Sequence, residues 1–224
     1  MLKNKRFLSS LVMALLTVLI NACTSEATVV SSSGGQTITQ ARAAPYNGPQ
    51  YRIAVTGFDD KATTQPGLSA GMRDMLADSL FNTGRFIVVE REHLSEVTKE
   101  QDLANSSRFR QDTAAPIGQL EGAQMLIRGT ITEFQPDCKG GSVILFSAKQ
   151  ACIAINIRIM DAATGRVLNA TTVQGTSANN GVGLVFAGGS LPIGLGAFSN
   201  TPMEQAIRNC VETAVQYIVN SKLN

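Results

Sequence analysis

Apolar and polar positions along the first half of the chain follow two periods, and each period predicts one kind of element. Residues 51–58 alternate as a β-strand does, whereas the apolar positions between Leu68 and Leu80 recur at helical spacing. Gly84 is expected to end that helix, because glycine readily adopts the left-handed conformation found after helix C-termini. The remaining pattern predicts a strand at 86–89, a polar helix at 94–104, a loop at 105–116, a short helical connection at 117–123 and a strand at 125–134.

The second half has a strong strand pattern and ends in an amphipathic helix. Isoleucine fills every second position of residues 153–159, and Gly165 lies in a predicted hairpin turn that leads into a partner strand. Thr201 is a natural helix N-cap, followed by proline at the first helical position and glutamate at the third, which completes a capping box. Helices and strands alternate around a mixed sheet with flanking helices, so we predict a compact α/β domain over residues 51–224.

One long segment does not have the composition of an ordinary surface loop. Residues 167–203 contain no Asp, Glu, Lys or Arg, and within them bulky apolar residues alternate with mostly small ones. We therefore predict a β-hairpin arm at about residues 176–200, because lipid-exposed strands of outer-membrane barrels have this two-residue repeat. A Gly-rich loop packed on its own domain is the alternative. The residues expected to face the membrane are Val182, Leu184, Phe186, Leu191, Ile193 and Leu195.

A second hairpin arm is predicted at about residues 134–151, between two strands of the domain. Its centre is uncharged, and Cys138 and Cys152 lie seven residues on either side of Leu145. If Leu145 is the apex, the two cysteines face each other on antiparallel strands and can form a disulfide in an oxidising compartment. Two reduced, half-buried cysteines are the alternative.

The N-terminus has the features of an export signal. Three cations precede the uncharged apolar run of residues 7–20, which is too short to remain in a bilayer, and Ala22 precedes Cys23. This pattern resembles a bacterial lipoprotein signal over residues 1–22, with Cys23 lipidated as the first mature residue. The residue after Cys23 is not aspartate, which predicts an outer-membrane lipoprotein at the periplasmic face. Residues 23–50 are rich in Ser, Thr, Ala and Gly and predict a flexible tether. An ordinary secretory peptide that happens to precede a cysteine is the alternative.

Charge and chemistry exclude several functions. Without residues 1–22, 16 of the 19 Lys and Arg remain against 17 Asp and Glu, so the net charge becomes −1 and nucleic acid is not an expected partner. His93 is the only histidine, and no serine lies in a nucleophile elbow. No catalytic constellation, metal site or cofactor motif is therefore predicted, and we do not expect an enzyme. Cys210 lies on the apolar stripe of the last helix and is expected to be a small core residue.

The order of several short motifs resembles the curli assembly/transport lipoprotein family, of the CsgG type. The similarity runs from about residue 51 to residue 219, and no constriction residues are assigned in the loop at residues 59–66, which has no aromatic side chain. The resemblance implies an outer-membrane ring in which each subunit contributes two β-hairpins to a shared barrel that exports unfolded protein. It rests on the strand at 51–58 and on Arg85-Phe86-Ile87-Val88-Val89-Glu90-Arg91, Arg128-Gly129-Thr130-Ile131, Asn156-Ile157-Arg158-Ile159, Thr164-Gly165-Arg166-Val167-Leu168 and Glu212-Thr213-Ala214-Val215.

Two functional classes remain. In the first, a homo-oligomeric ring forms an outer-membrane channel that exports or anchors a polypeptide, with accessory lipoproteins as possible partners. In the second, the chain is a periplasmic lipoprotein that does not span the membrane and regulates a partner such as a cell-wall synthase. The two predicted arms favour the first class, because the second does not require them.

Overall fold

The computed structural model describes residues 27–29, 46–143, 146–177, 198 and 200–221. The predicted signal at 1–22, the lipidation site Cys23 and the six residues expected to face the membrane lie outside these ranges. The predictions made for them stay predictions.

Six strands form one mixed sheet in the order β1-β6-β5-β4-β2-β3. Strand β2 is parallel to β3 and to β4, and the other neighbouring pairs are antiparallel. This arrangement confirms the predicted mixed α/β domain. The strands are β1 (Ala27–Val29), β2 (Tyr51–Asp60), β3 (Phe86–Val88), β4 (Met125–Val143), β5 (Phe146–Asp161) and β6 (Val167–Ser177); the helices are α1 (Leu68–Asn82), α2 (Leu94–Ala104) and α3 (Pro202–Asn220), with a 3-10 turn at Gln111–Thr113.

The core lies between the sheet and two of the helices, α1 and α3. Successive strand residues point to opposite faces, so the isoleucines at alternate positions of β5 all meet the helices, where each is almost fully buried. The opposite face carries polar residues and stays partly exposed, as is usual for an antiparallel sheet with one solvated side. The buried isoleucines of β5 are Ile153, Ile155, Ile157 and Ile159.

Local chemistry sets the ends of the elements. The Thr201 hydroxyl accepts a hydrogen bond from the backbone N–H of Glu204 and so caps α3, as predicted. Gly84 and Gly165 have positive φ angles of 67° and 72°, the conformation that the end of α1 and the β5–β6 turn require.

Glycine also permits one close approach inside the domain. A Cβ atom on Gly175 of β6 would lie 2.1 Å from the carbonyl oxygen of Ala206 and 2.5 Å from the backbone nitrogen of Cys210. Helix α3 therefore packs directly against the backbone of β6, and this contact requires the absence of a side chain.

Two predictions about local structure are wrong. The segment at residues 117–123 is not helical, because Gly118 has a φ of +85° and Arg52 holds the end of the segment. The backbone N–H of Arg52 donates a hydrogen bond to the Gln124 side chain (2.9 Å), and its guanidinium donates one to the Gly122 carbonyl (2.9 Å). Within the tether predicted at 23–50, Ala27–Val29 form strand β1, because the outer edge of β6 has backbone groups free to pair with an extended segment.

Candidate functional site at the arm end of the sheet

Strands β4 and β5 continue beyond the part of the sheet that the helices cover. The last core pair of the two strands is Phe134 with Ile153, yet the paired strands run on to Val143 and Phe146. The arm predicted at residues 134–151 is therefore an extension of two strands of the domain and shares their hydrogen-bond ladder.

Two irregularities in β4 mark the point where the arm leaves the domain. The register shifts once between Ile131 and Glu133 and again between Gln135 and Lys139. Pro136 lies within the second shift, and proline has no N–H to donate to a ladder. Bulges of this kind bend a strand and increase its twist, and they are common at the rims of barrels.

A disulfide joins the two strands at this bulge. Cys138 and Cys152 are bonded, with their Cα atoms 5.8 Å apart, which is the pair that the sequence predicts. The geometry differs from the expectation, however, because the residue opposite Cys152 in the register is Gln135 and the next pair is Lys139 with Gln150. The bridge therefore spans the extra residues of β4 and fixes the bulge.

Two residues that flank the stretch 178–197 of the second predicted arm, Ser177 and Phe198, lie beside the first arm. Strand β6 ends at Ser177, which pairs with Ala151 at the base of the first arm. Phe198, on the other side of that stretch, packs edge-on against Phe134, with ring centroids 5.6 Å apart and an interplanar angle of 62°. The described residues on either side of the second predicted arm thus lie at the same end of the sheet as the first arm, and residues 178–197 themselves lie outside the described ranges.

A buried hydrogen bond holds this end of the sheet against α3, and a partly buried one lies on the opposite face. The Asn209 side chain, 1% exposed, donates a hydrogen bond to the carbonyl of Thr176 (2.8 Å). The Gln174 side chain donates to the Glu133 carboxylate (3.2 Å) on the other face. Because a buried amide without a partner is costly, the Asn209 bond ties the end of β6 to the last helix.

Cys210 is a buried thiol with no reactive character. It lies in the core beneath β6, and burial raises the pKa of its thiol to about 12. Since the thiolate is the reactive species, this cysteine is inert at neutral pH. Cys210 is a small core residue, as its place on the apolar stripe of the last helix predicts.

Two acidic residues at the end of β2 have structural contacts, and the single histidine lies at the surface. Asp59 forms an ion pair with Arg128 (2.8 Å), and the Asp60 carboxylate accepts N–H groups of the loop that follows β2. His93 is exposed at the start of α2, beside Glu96. Within the described ranges no three His, Cys, Asp or Glu side chains converge as metal ligands, and no helix has the length and apolarity to cross a membrane.

Sequence reasoning missed the continuity of the arm with the domain and the bulge at its base. Pro136 is a local signal for the bulge, because a proline inside a strand pattern marks an edge or a bulge. The contact between Phe134 and Phe198 has no such signal, since sixty-odd residues separate the two rings along the chain.

Comparisons with known proteins identify a matching family and several relatives. The family model described as "Curli production assembly/transport component CsgG" matches residues 34–224. The protein of that name from Citrobacter koseri is 23% identical over 169 residues, which cover 67% of this chain and 60% of that protein. The chain thus spans about 60% of the length of the curated relatives it matches.

Solved structures with similar folds have low identity to this chain. Lipoprotein GNA1162 from Neisseria meningitidis aligns with a TM-score of 0.37 at 19% identity and covers 59% of this chain and 85% of its own. Protein XCC0632 from Xanthomonas campestris aligns with a TM-score of 0.45 at 11% identity and covers 76% and 84%.

Proposed function

The chain belongs to the family of curli production assembly/transport components, and from that premise we propose that it is one subunit of an outer-membrane ring that exports a polypeptide. Each subunit gives its α/β domain to the periplasmic part of the ring and both hairpin arms to a shared β-barrel. The ring is a homo-oligomer, and its cargo is an extended polypeptide that is secreted or anchored at the cell surface.

The observation that carries the proposal is the common origin of both arms. The domain strands β4, β5 and β6 are neighbours, and the residues that flank the stretch 178–197, Ser177 and Phe198, lie at the same end of the sheet as the arm. A subunit built in this way offers four consecutive antiparallel strands to a barrel, and neighbouring copies pair their outer strands to close it. Closure removes the exposed strand edges that hydrocarbon does not tolerate.

The length of the arm agrees with this role. A transmembrane β-strand needs about 9–11 residues at a tilt of about 45°. In β4 the stretch from Phe134 to the end at Val143 falls in this range, and in β5 the stretch from Phe146 reaches its lower limit when it is counted through the core residue Ile153 to Ala154. Counted from the cysteines alone, the arm is too short to span a membrane. The continuation of β4 and β5 into the domain supplies the missing length.

The N-terminal signal supports the location of the ring. Lipidation of Cys23 anchors the subunit at the periplasmic face of the outer membrane, and the tether of residues 23–50 connects anchor and domain. Among the tether residues, Ala27–Val29 add an edge strand to β6. The chain that follows the anchor therefore joins the sheet beside β6, the strand that leads toward the second predicted arm.

The test is direct observation of the assembly. The full-length lipoprotein is extracted in detergent, imaged as single particles and inserted in planar bilayers for conductance. We expect closed rings and discrete channel openings. A monomeric protein without conductance would refute the channel, and the periplasmic regulator would then be the better hypothesis.

A further inference from the structure

The connection between β3 and β4 is an ordered projection that buries little within its own subunit. Of residues 89–124, which include α2, only Ala104 is buried. The connection nevertheless carries large apolar side chains that are 40–61% exposed: Val97, Leu103, Phe109, Ile117 and Leu120. Apolar side chains grouped on one projecting element indicate a surface that another protein covers.

The tip of this projection presents an aromatic ring beside a cation. Phe109 is 45% exposed, and Arg108 has no ion-pair partner within the described ranges, whereas Arg110 is neutralised by Asp112. The Asn105 side chain fixes the tip, donating to the carbonyls of Gln101 (2.8 Å) and Ala115 (2.9 Å). The tip is therefore preorganised to insert into a partner.

An open pocket lined by both charged and apolar side chains lies at the opposite end of α2, between α1 and the edge strand β3. Its volume is about 190 Å³, its apolar wall includes Val55, Ala77 and Val88, and Phe81 stands on its rim with 66% of its surface exposed. A space of this size admits a side chain, since about 10–15 Å³ on the same measure already holds a water. The pocket is an open recess at the edge of the sheet, in which an apolar wall lies beside the charged groups of Arg73, Asp74, Asp78, Glu90 and Arg91.

One carboxylate of this pocket is available to a cation from outside the subunit. Two cations line the pocket: Arg73 already pairs with Glu92 (2.8 Å) and Asp74 (3.0 Å), and the Arg91 guanidinium donates to the carbonyls of Glu90 (2.9 Å) and Glu121 (3.2 Å). Asp78 has no ion-pair partner within the described ranges, and desolvation, then Asp74 and Glu90, raise the pKa of its carboxyl group. A cation placed here would favour the ionised form.

The charge on Glu90 is already stabilised within the subunit. Its carboxylate accepts the backbone N–H groups of Arg91 (2.8 Å), Glu92 (2.6 Å) and His93 (3.1 Å). Although desolvation acts against them, these bonds lower the pKa of Glu90. Asp78 is therefore the carboxylate of the pocket that a partner's cation would pair with.

We propose that the pocket receives the Arg108–Phe109 tip of a second copy of this chain, with Phe109 against Phe81 and Arg108 paired with Asp78. The Asp78 carboxylate offers a charge partner to Arg108, and the exposed ring of Phe81 offers an apolar contact to Phe109. A subunit cannot fill its own pocket, because α2 starts beside Glu90 at the pocket and its 11 residues carry the tip about 16 Å away. The pocket of each copy is therefore filled by the tip of the next.

This contact has a consequence for assembly. Pocket and tip are different surfaces of one chain, so their contact is heterologous and repeats around a closed ring. The inference rests on the proposed ring, and it identifies the two periplasmic surfaces through which neighbouring subunits contact each other.

The experiment is a charge exchange in the full-length protein in detergent. Arg108→Glu and Asp78→Arg are made singly and together, and Lys99→Glu, an equal change of charge at an exposed position of α2, is the matched control. Native mass spectrometry across a dilution series measures assembly. We expect about tenfold or more weaker assembly in each single variant, recovery in the double variant and wild-type behaviour in the control.

A neutral variant separates a role in assembly from a role in folding. In Asp78→Asn, assembly should weaken while the dissociated subunit gains thermal stability at neutral pH. The gain is expected because the pKa of Asp78 is raised, which means that the native state disfavours the ionised carboxyl group. This cost to the stability of the folded subunit is fully present above that pKa and vanishes at acidic pH. If Asp78→Asn instead destabilises the dissociated subunit, Asp78 has a role in folding, and its assignment to the contact between subunits is wrong.

The outcomes separate the two proposals. A wild-type protein that forms rings, with both charge reversals assembling as it does, overturns the pocket contact and leaves the channel intact. A wild-type protein that forms no ring overturns the channel and the contact with it. Phe109→Ser, which changes an exposed side chain, provides a second variant that should also weaken assembly.

Discussion

Gly175→Ala tests whether the close packing of α3 on β6 holds the domain together. The new Cβ would meet two backbone atoms of α3, 2.1 Å and 2.5 Å away, and neither of them can rotate aside as a side chain would. Ordinary contact begins at about 3.4 Å, so the helix has to move by about 1 Å. Gly175 also pairs with Ile153 in the sheet, which prevents β6 from yielding instead.

The expected magnitude follows from the cost of overpacking. Extra methyl groups in well-packed cores cost about 1–3 kcal/mol, and a clash with rigid backbone belongs at the upper end of that range. For a domain of this size about 3 kcal/mol lowers the melting temperature by about 6–12 °C. Part of the lost stability comes from the contact between α3 and the sheet, where Cys210 of α3 and Ile155 of β5 belong to the same core.

The assay is thermal and urea unfolding of the mature protein, followed by circular dichroism at one fixed protein concentration, because oligomers melt in a concentration-dependent way. Gly57→Ala is the matched control. A Cβ atom added to Gly57 would meet no other atom within 4 Å, and its φ is not positive, so the replacement should change the stability little. If Gly175→Ala and Gly57→Ala melt within about 2 °C of each other, a difference well below the one expected, the close approach of α3 is not a determinant of stability.

Three further predictions concern the anchor, the thiols and the charge-free arm. Cys23→Ala should leave an uncleaved or detergent-independent precursor, and unchanged outer-membrane fractionation would contradict the anchor. Cys210 should be the single free thiol in mass mapping under non-reducing conditions, and it should resist alkylation at pH 8 until the protein unfolds, because burial raises its pKa to about 12. Leu184→Arg places a charge on the proposed lipid face at about 2–4 kcal/mol per subunit, and should abolish SDS-resistant oligomers and conductance. Gly183→Arg on the proposed luminal face is the paired control, and equal tolerance of the two would argue for a loop outside the membrane.

The sequence alone determined the elements whose signals are local. Helix α3 is predicted with its N-cap at Thr201, because capping chemistry is contained within four residues. The face of β5 that meets the core follows from the two-residue repeat of its isoleucines, and the turn at Gly165 follows from the need for a positive φ. Helix α2 has the bounds that the sequence predicts, residues 94–104.

The arm end of the sheet was only partly predictable. The pairing of Cys138 with Cys152 follows from their spacing in an oxidising compartment, and the structure joins them. Their register does not follow, because the extra residues of β4 around Pro136 shift it, and a shift is a property of two strands together.

Tertiary structure decided the features that depend on distant residues. The segment before β4 is not helical because Arg52 binds it, against a local pattern that favours a helical turn. Strand β1 exists because β6 offers an edge, and Gly175 is required because α3 passes over it. Periodicity and capping act within one turn of the chain and can be recognised in sequence, whereas pairing, register and close approach are set by which surfaces the folded chain brings together.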